Sequence, residues 1–148
     1  MSTEENMITR FRGEYHFLSD FYAVKITYEG AVYPTVEHAF QAAKCVKESD
    51  REKIRNAQKP GGAKRIGRRV ELRHDWEEKK VSIMEQLLRN KLEFTRMKNM
   101  LKDTDCKEII EKNKWHDNFW GTCDCRSHKD KKGKNILGNL LMKIRDEI

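Results

Sequence analysis

Apolar residues recur at helical spacing along much of the chain, and this periodicity restricts the fold more than any other feature. Val81, Met84, Leu87, Leu88 and Leu92 make the longest stripe, and Met97, Met100 and Leu101 continue its helical character. Asp75 with Glu78 predicts the start of that helix as a capping box, and Asp103-Thr104-Asp105 predicts the end of the run. A last helix carries Ile136, Leu137, Leu140, Leu141, Ile144 and Ile148, a stripe that needs a core to cover it. Thr35 is a predicted N-cap, and Val36, Ala39, Phe40, Ala43 and Val46 after it fall on one arc of a helical wheel. Ser49 and Glu52 predict a further start. Pro60-Gly61-Gly62 predicts a break before a short basic helix.

β signals are few. Lys25-Ile26-Thr27-Tyr28 and Ala31-Val32-Tyr33 flank Glu29-Gly30, the pattern of a tight hairpin, and Ile109-Ile110 fits a short strand or turn. The expected fold is therefore α+β and mainly α. It is a single compact helical domain over residues 8–148 with a small N-terminal β hairpin, preceded by a flexible N-terminus over residues 1–7.

At 148 residues the chain is long enough for one ordinary core, and 37% apolar with 37% charged residues excludes a disordered chain. No apolar run reaches the roughly 18 residues of a membrane span, and Met1 to Asn6 lacks the signature of a signal peptide. A cytoplasmic protein is expected, with no membrane partner and with Cys45, Cys106, Cys123 and Cys125 as thiols. The formal charge of +7 concentrates in Lys64-Arg65-Ile66-Gly67-Arg68-Arg69, in Arg73, and in Lys129-Asp130-Lys131-Lys132-Gly133-Lys134. Such clusters attract phosphates or nucleic acid, or simply solvate a basic face. The pattern leaves the oligomeric state open.

Three segments carry residues suited to chemistry. On the helix after Thr35, Glu37, Gln41 and Lys44 lie within about 60° of one another, a polar stripe bordering the apolar arc. Glu37 falls in the first turn, where the helix dipole favours an ionised carboxylate, the form a general base or a stabiliser of an oxocarbenium ion needs. An ordinary surface Glu–Lys pair has the same spacing. Trp115-His116-Asp117-Asn118-Phe119-Trp120-Gly121 gathers aromatics with a second carboxylate. A tryptophan face stacks on a base for about 1–3 kcal/mol. Gly133-Lys134-Asn135-Ile136-Leu137-Gly138 opens the last helix, where free N–H groups would hold phosphate, although it is not a P-loop. His116, Cys123, Cys125 and His128 supply four possible zinc ligands, but their spacing departs from paired Cys-x-x-Cys, so no metal is expected. A zinc deaminase is disfavoured because no Pro-Cys-x-x-Cys follows Glu37-His38.

Phe17-Leu18-Ser19-Asp20-Phe21-Tyr22 and Tyr33-Pro34-Thr35-Val36-Glu37-His38-Ala39-Phe40-Gln41-Ala42-Ala43-Lys44 resemble the opening motifs of the NADAR family, the YbiA-like N-glycosidases. Ala63-Lys64-Arg65-Ile66-Gly67 with Asp75-Trp76, then Asp117 to Gly121, then Gly133 to Gly138 with Leu141 to Arg145, resemble its later motifs in the same order. The resemblance implies a mostly helical domain that hydrolyses N-glycosides of ribose without a cofactor. Its substrates would be riboflavin-pathway intermediates or ADP-ribose attached to guanine, with ADP-ribosylated nucleic acid as a further partner. It implies Glu37 and Asp117 as catalytic residues. It also implies that Phe17, Ser19, Asp20, Gln41, Lys44, Trp76, Trp120, Gly121, Lys134 and Asn135 bind substrate, with Glu37, Asp117 and Trp120 meeting in one cleft.

The chain departs from the family pattern at three places. Asp20 stands where the family usually has Asn, and Cys45 where an aromatic commonly follows the lysine. Thr122-Cys123-Asp124-Cys125 and a lysine-rich loop replace a short glycine-rich link. A non-catalytic basic nucleotide- or nucleic-acid-binding module is the alternative, but it gives no reason for Glu37 to border the core beside Gln41 and Lys44.

Overall fold

A computed structural model describes residues 6–128 and 131–148. Residues 1–5 of the expected flexible N-terminus, and Lys129-Asp130 of the second basic cluster, lie outside the described residues. Contacts group the chain into two units: Asp20–Phe94, and the chain up to Ser19 together with Thr95–Ile148.

The unit Asp20–Phe94 begins with the expected hairpin. Strands β2 (Ile26–Tyr28) and β3 (Ala31–Tyr33) pair antiparallel, with Ile26 opposite Tyr33 and Tyr28 opposite Ala31. Glu29 and Gly30 both have positive φ, 48° and 81°, as a two-residue turn between right-twisted strands requires. Helix α1 (Val36–Ala43) starts where Thr35 accepts the His38 N–H on its hydroxyl.

Helix α2 (Glu48–Arg55) starts one residue before Ser49. The Lys47 carbonyl takes the N–H groups of Asp50 and Arg51, so Ser49 is already inside the helix and the predicted box is absent. Helix α3 (Pro60–Gly67) opens on the proline, because a first-turn residue has no N–H bond to lose. Pro60-Gly61-Gly62 is therefore the helix start and not a break before it.

Helix α4 (Trp76–Leu92) also lacks its predicted side-chain cap. Arg73 grips Asp75 with two prongs, Nε to Oδ1 at 2.6 Å and Nη2 to Oδ2 at 3.1 Å, and so outcompetes the helix N–H groups for that carboxylate. Arg73 also donates its backbone N–H to the Lys44 carbonyl, fastening the end of α1. Val36, Ala39, Phe40, Ile54, Ala63, Trp76, Ile83, Leu87 and Leu88 are buried apolar residues of this unit.

In the other unit, β1 (Met7–Ile8) pairs in parallel with β4 (Glu108–Ile109), and a 3-10 turn over Gly13–Leu18 buries Phe17 and Leu18. Helix α5 (Thr95–Lys102) is separate from α4, so the long predicted run is two helices with a break at Glu93-Phe94. Strands β5 (Lys112–Asn113) and β6 (Thr122–Cys123) form a third pair, which the sequence pattern did not reveal. Helix α6 (Ile136–Asp146) buries Leu137, Leu140, Leu141 and Ile144 and half-buries Ile136. Arg145 fastens it through Nη1 to the Lys107 carbonyl at 2.7 Å and to the Thr104 hydroxyl at 3.0 Å. The fold is α+β with helix predominating. Among the described residues no helix is long and apolar enough to cross a membrane.

Candidate active site

All eight residues of α1 are buried, the polar ones included. Sequence spacing placed Glu37 on the border of the apolar arc, whereas the structure leaves it only 7% exposed. Its Oε1 accepts a 2.8 Å hydrogen bond from Gln41 Nε2, one turn along the same helix. Burial drives the Glu37 pKa above the ordinary carboxylate value, while the Gln41 hydrogen bond and the charges of Lys64 and Lys44 pull the other way. Desolvation thus outweighs the helix dipole on which the sequence argument relied.

The neighbouring His38 is fully buried and saturated. Its Nε2 lies 2.9 Å from the Ala57 carbonyl, an acceptor, so Nε2 carries the proton and Nδ1 accepts from the Thr35 hydroxyl at 2.8 Å. His38 ties α1 to the end of α2 and has no nitrogen left for a substrate. Gln41 is placed by α3: a Cβ on Gly67 would overlap its side-chain amide, so only glycine admits it there. Gln41 Oε1 is buried without a hydrogen-bond partner among the described residues. Lys44 caps the other end of α1, half-buried; burial lowers its pKa and Glu37 opposes that. Trp76 packs in the core with its ring 4.9 Å from that of Phe40.

Asp20 accepts the Glu37 N–H on its backbone carbonyl at 3.0 Å, which fastens the Asp20–Tyr22 segment to the start of α1. Its carboxylate faces a residue that sequence reasoning missed. Lys91 is 2% exposed, and burial lowers its pKa to about 8 against the charge of Asp20. Its Nζ lies 5.6 Å from the centre of the Tyr22 ring. The signal was present in α4: position 91 follows Met84, Leu87 and Leu88 on the apolar stripe, an unusual place for a lysine. Asp20 supplies the counter-charge to this buried lysine.

In the other unit, the segment after β5 is organised by its own side chains. Asp117 Oδ1 accepts the N–H groups of Phe119 and Trp120 at 3.0 and 2.9 Å. Asn113 grips the Asp117 backbone from both sides, at 2.8 Å and 3.1 Å. Asn118 accepts the Cys123 N–H on Oδ1 and the Lys134 N–H on its carbonyl. Trp120 is half-buried and stands edge-on to Phe119, whose ring lies 5.5 Å from Lys134 Nζ. Gly121 is buried where a Cβ would overlap Glu111.

The start of α6 differs from the expected phosphate cradle. The N–H groups of Asn135, Ile136 and Leu137 donate to the carbonyls of Gly121, Phe119 and Trp120, so the loop itself caps the helix. Asn135, in the left-handed region at φ 49°, uses Oδ1 for the Glu111 N–H and Nδ2 for the Ile109 carbonyl. It is a structural clasp as it stands. Lys134 is exposed, Ser19 is half-buried at the end of the 3-10 turn, and Phe17 is buried within that turn.

His116, Cys123, Cys125 and His128 come together despite their irregular spacing. Each presents one ligand atom, and these atoms all lie within 4.8 Å of one another. The β5–β6 pairing sets Cys123 beside Asn113, a proximity that spacing along the chain does not encode.

The structure is similar to the NMR structure of the Escherichia coli protein YbiA, with a TM-score of 0.79 and 36% identity, over 96% of this chain and 84% of that one. By sequence, N-glycosidase YbiA of Escherichia coli is 37% identical over 138 residues, covering 91% of this chain and 82% of the relative. A riboflavin biosynthesis protein of Vibrio vulnificus is 35% identical over 89% of this chain, which spans 35% of that protein. The profile of the NADAR domain matches residues 8–148, through both units, and the chain belongs to the NADAR domain family.

Proposed function

We propose that this protein is an N-glycosidase that hydrolyses the bond between a ribose and a base, with Glu37 as the catalytic carboxylate. The observation that carries this reading is the state of Glu37. It is a buried carboxylate held by Gln41, its pKa raised by burial, with the cationic side chains of Lys44 and Lys64 acting on it. A carboxylate raised towards the working pH is a better general base than an exposed one, and such groups contribute about 10²- to 10⁴-fold. The similarity to N-glycosidase YbiA supports the same reaction class.

In this reaction the C1′–N bond breaks with its electron pair leaving on the base. Positive charge develops on the ribose, and a water oxygen bonds to C1′. Glu37 orients that water, takes its proton and offsets the developing charge, and that proton ends, by way of solvent, on the nitrogen of the departing base. Lys44 holds substrate phosphate, and Trp120 offers a face on which the base or adjoining ring stacks. Asp117 positions the sugar through the loop that it organises, since its Oδ1 already holds two backbone N–H groups. The proposed substrates are riboflavin-pathway intermediates or ADP-ribosylated guanine, free or in nucleic acid.

The test incubates the full chain with both substrate classes in water carrying a heavy oxygen isotope and analyses the products by mass spectrometry. Release of free base with the label in the sugar is expected. Intact substrate of both classes at stoichiometric enzyme, with binding retained, would favour a non-catalytic nucleotide-binding module.

A further inference from the structure

The group formed by His116, Cys123, Cys125 and His128 plays no part in the proposed hydrolysis, and its chemistry differs from that of the rest of the molecule. Cys125 Sγ lies 3.2 Å from His116 Nδ1 and 3.0 Å from His128 Nδ1, and the two Nδ1 atoms are 3.5 Å apart. Cys123 Sγ completes the set within the 4.8 Å span of all four atoms. In a tetrahedral zinc site with Zn–N of about 2.0–2.1 Å and Zn–S of about 2.3 Å, the N···N edge is about 3.3 Å and the N···S edge about 3.5 Å. The three separations among Cys125 Sγ and the two Nδ1 atoms lie within about half an ångström of those edges, and Cys123 Sγ, at the far end of the 4.8 Å span, has to move in by about 1 Å for a single ion to hold all four atoms.

The surroundings favour metal-bound thiolates. The Cys125 N–H donates to Cys123 Sγ at 3.4 Å, and Ser127 Oγ lies 3.4 Å from Cys125 Sγ. Groups that donate to coordinated sulfur stabilise its negative charge and hold the ligand in place. Two thiolates and two neutral imidazoles give a neutral complex with a divalent ion, which suits a lysine-rich segment better than an unbalanced anion would. Both histidines present Nδ1 to the group. Hydrogen bonds through Cys125 link these residues, and the gathering of two thiols and two imidazoles within 4.8 Å is the donor set that a single soft ion takes.

We propose that His116, Cys123, Cys125 and His128 form a structural zinc site that closes the segment from His116 to His128. All four positions of the tetrahedron are filled by protein, so the ion acts as a clamp and activates no water. His116 directly precedes Asp117, so the ion fixes one end of the stretch that Asp117 and Asn118 organise. His116 is exposed and Cys125 and His128 are half-buried, so strong chelators reach the ion without unfolding the chain.

The full chain, purified under reducing conditions and freed of loose metal, should hold one zinc ion by elemental analysis. Replacement by cobalt(II) should give the intense visible bands of a tetrahedral site and a near-ultraviolet thiolate band, a readout that needs no variant to fold. Cys125→Ser and His128→Asn each remove a ligand. Loss of a mere supporting partner costs about 10- to 100-fold in affinity, so these should cost at least that much while far-ultraviolet dichroism is unchanged. Cys106→Ser, at an exposed thiol outside the group, should retain the metal. Chelation should speed tryptic cleavage at Arg126 and Lys131. A chain that takes up no zinc or cobalt on reconstitution, or a Cys125→Ser/His128→Asn double variant that binds as tightly as wild type, would overturn the assignment.

Discussion

Helix α1 and the segment from Trp115 to Cys123 hold similar polar side chains and use them in different ways. On α1, Glu37 and Gln41 bond each other, and Gln41 keeps a buried oxygen without a partner among the described residues. In the segment, Asp117 and Asn118, with Asn113 on the strand before it, bond backbone groups and so determine the path of the chain. A helix satisfies its own backbone, which frees its side chains to face one another. An irregular segment has no internal ladder, so its side chains must satisfy its backbone. Chemistry is therefore easier to place on α1, and Asp117 and Asn135 read more naturally as supports.

The sharpest way to break that contrast is Glu37→Gln, which keeps shape and removes the charge. Turnover should fall by about 10²- to 10⁴-fold, with substrate affinity changed far less, by single-turnover kinetics and equilibrium binding. A wild-type rate in this variant would refute the assignment of Glu37. Next comes Gly67→Ala, whose new methyl must displace the Gln41 amide. A misplaced group near the reacting atoms costs up to about 10²-fold in rate, so kcat should drop while the helices persist by circular dichroism.

The segment is tested by Asp117→Ala against Asp117→Asn. The alanine leaves two backbone N–H groups without their acceptor, at a cost of about 1–3 kcal/mol in urea denaturation. The asparagine keeps Oδ1 and should restore most of that stability and most of the activity. If the asparagine variant were stable but inactive, Asp117 would belong with Glu37 as an acid–base group and the contrast would fail.

The smallest effect is on stability against pH. Burial raises the Glu37 pKa in the folded state, so folding takes up a proton at this group. The stability it contributes is fully present below the ordinary carboxylate range and is lost as pH rises through the folded-state value. Glu37→Gln should therefore match wild type in Tm at about pH 4 and exceed it at about pH 8. Parallel Tm profiles for the two proteins would contradict the burial of the charge.

How far the sequence revealed these regions follows from the same difference. Helical periodicity located α1, α4 and α6, and Thr35 was identifiable as a cap because its hydroxyl can accept the His38 N–H while it donates to His38 Nδ1. Asp75 failed as a cap because Arg73, two residues away, claims its carboxylate. Glu37 and Gln41 stood out because helical spacing fixes their proximity. Lys91 was hidden among apolar neighbours, and only the fold brings Asp20 to it. The β5–β6 pair and the four-ligand group depend on contacts across an irregular segment, where no period exists to count.

Asn118 holds both Cys123 and Lys134, so the chain between them leaves and returns at one fixed point. A loop whose ends are already held can lengthen cheaply: each doubling costs only about 0.6 kcal/mol in closure entropy. The departure of this chain from the family's short glycine-rich link lies within that closed stretch. Asn118 thus closes the base of a loop whose length can change at little entropic cost while β6 and α6 on either side stay anchored.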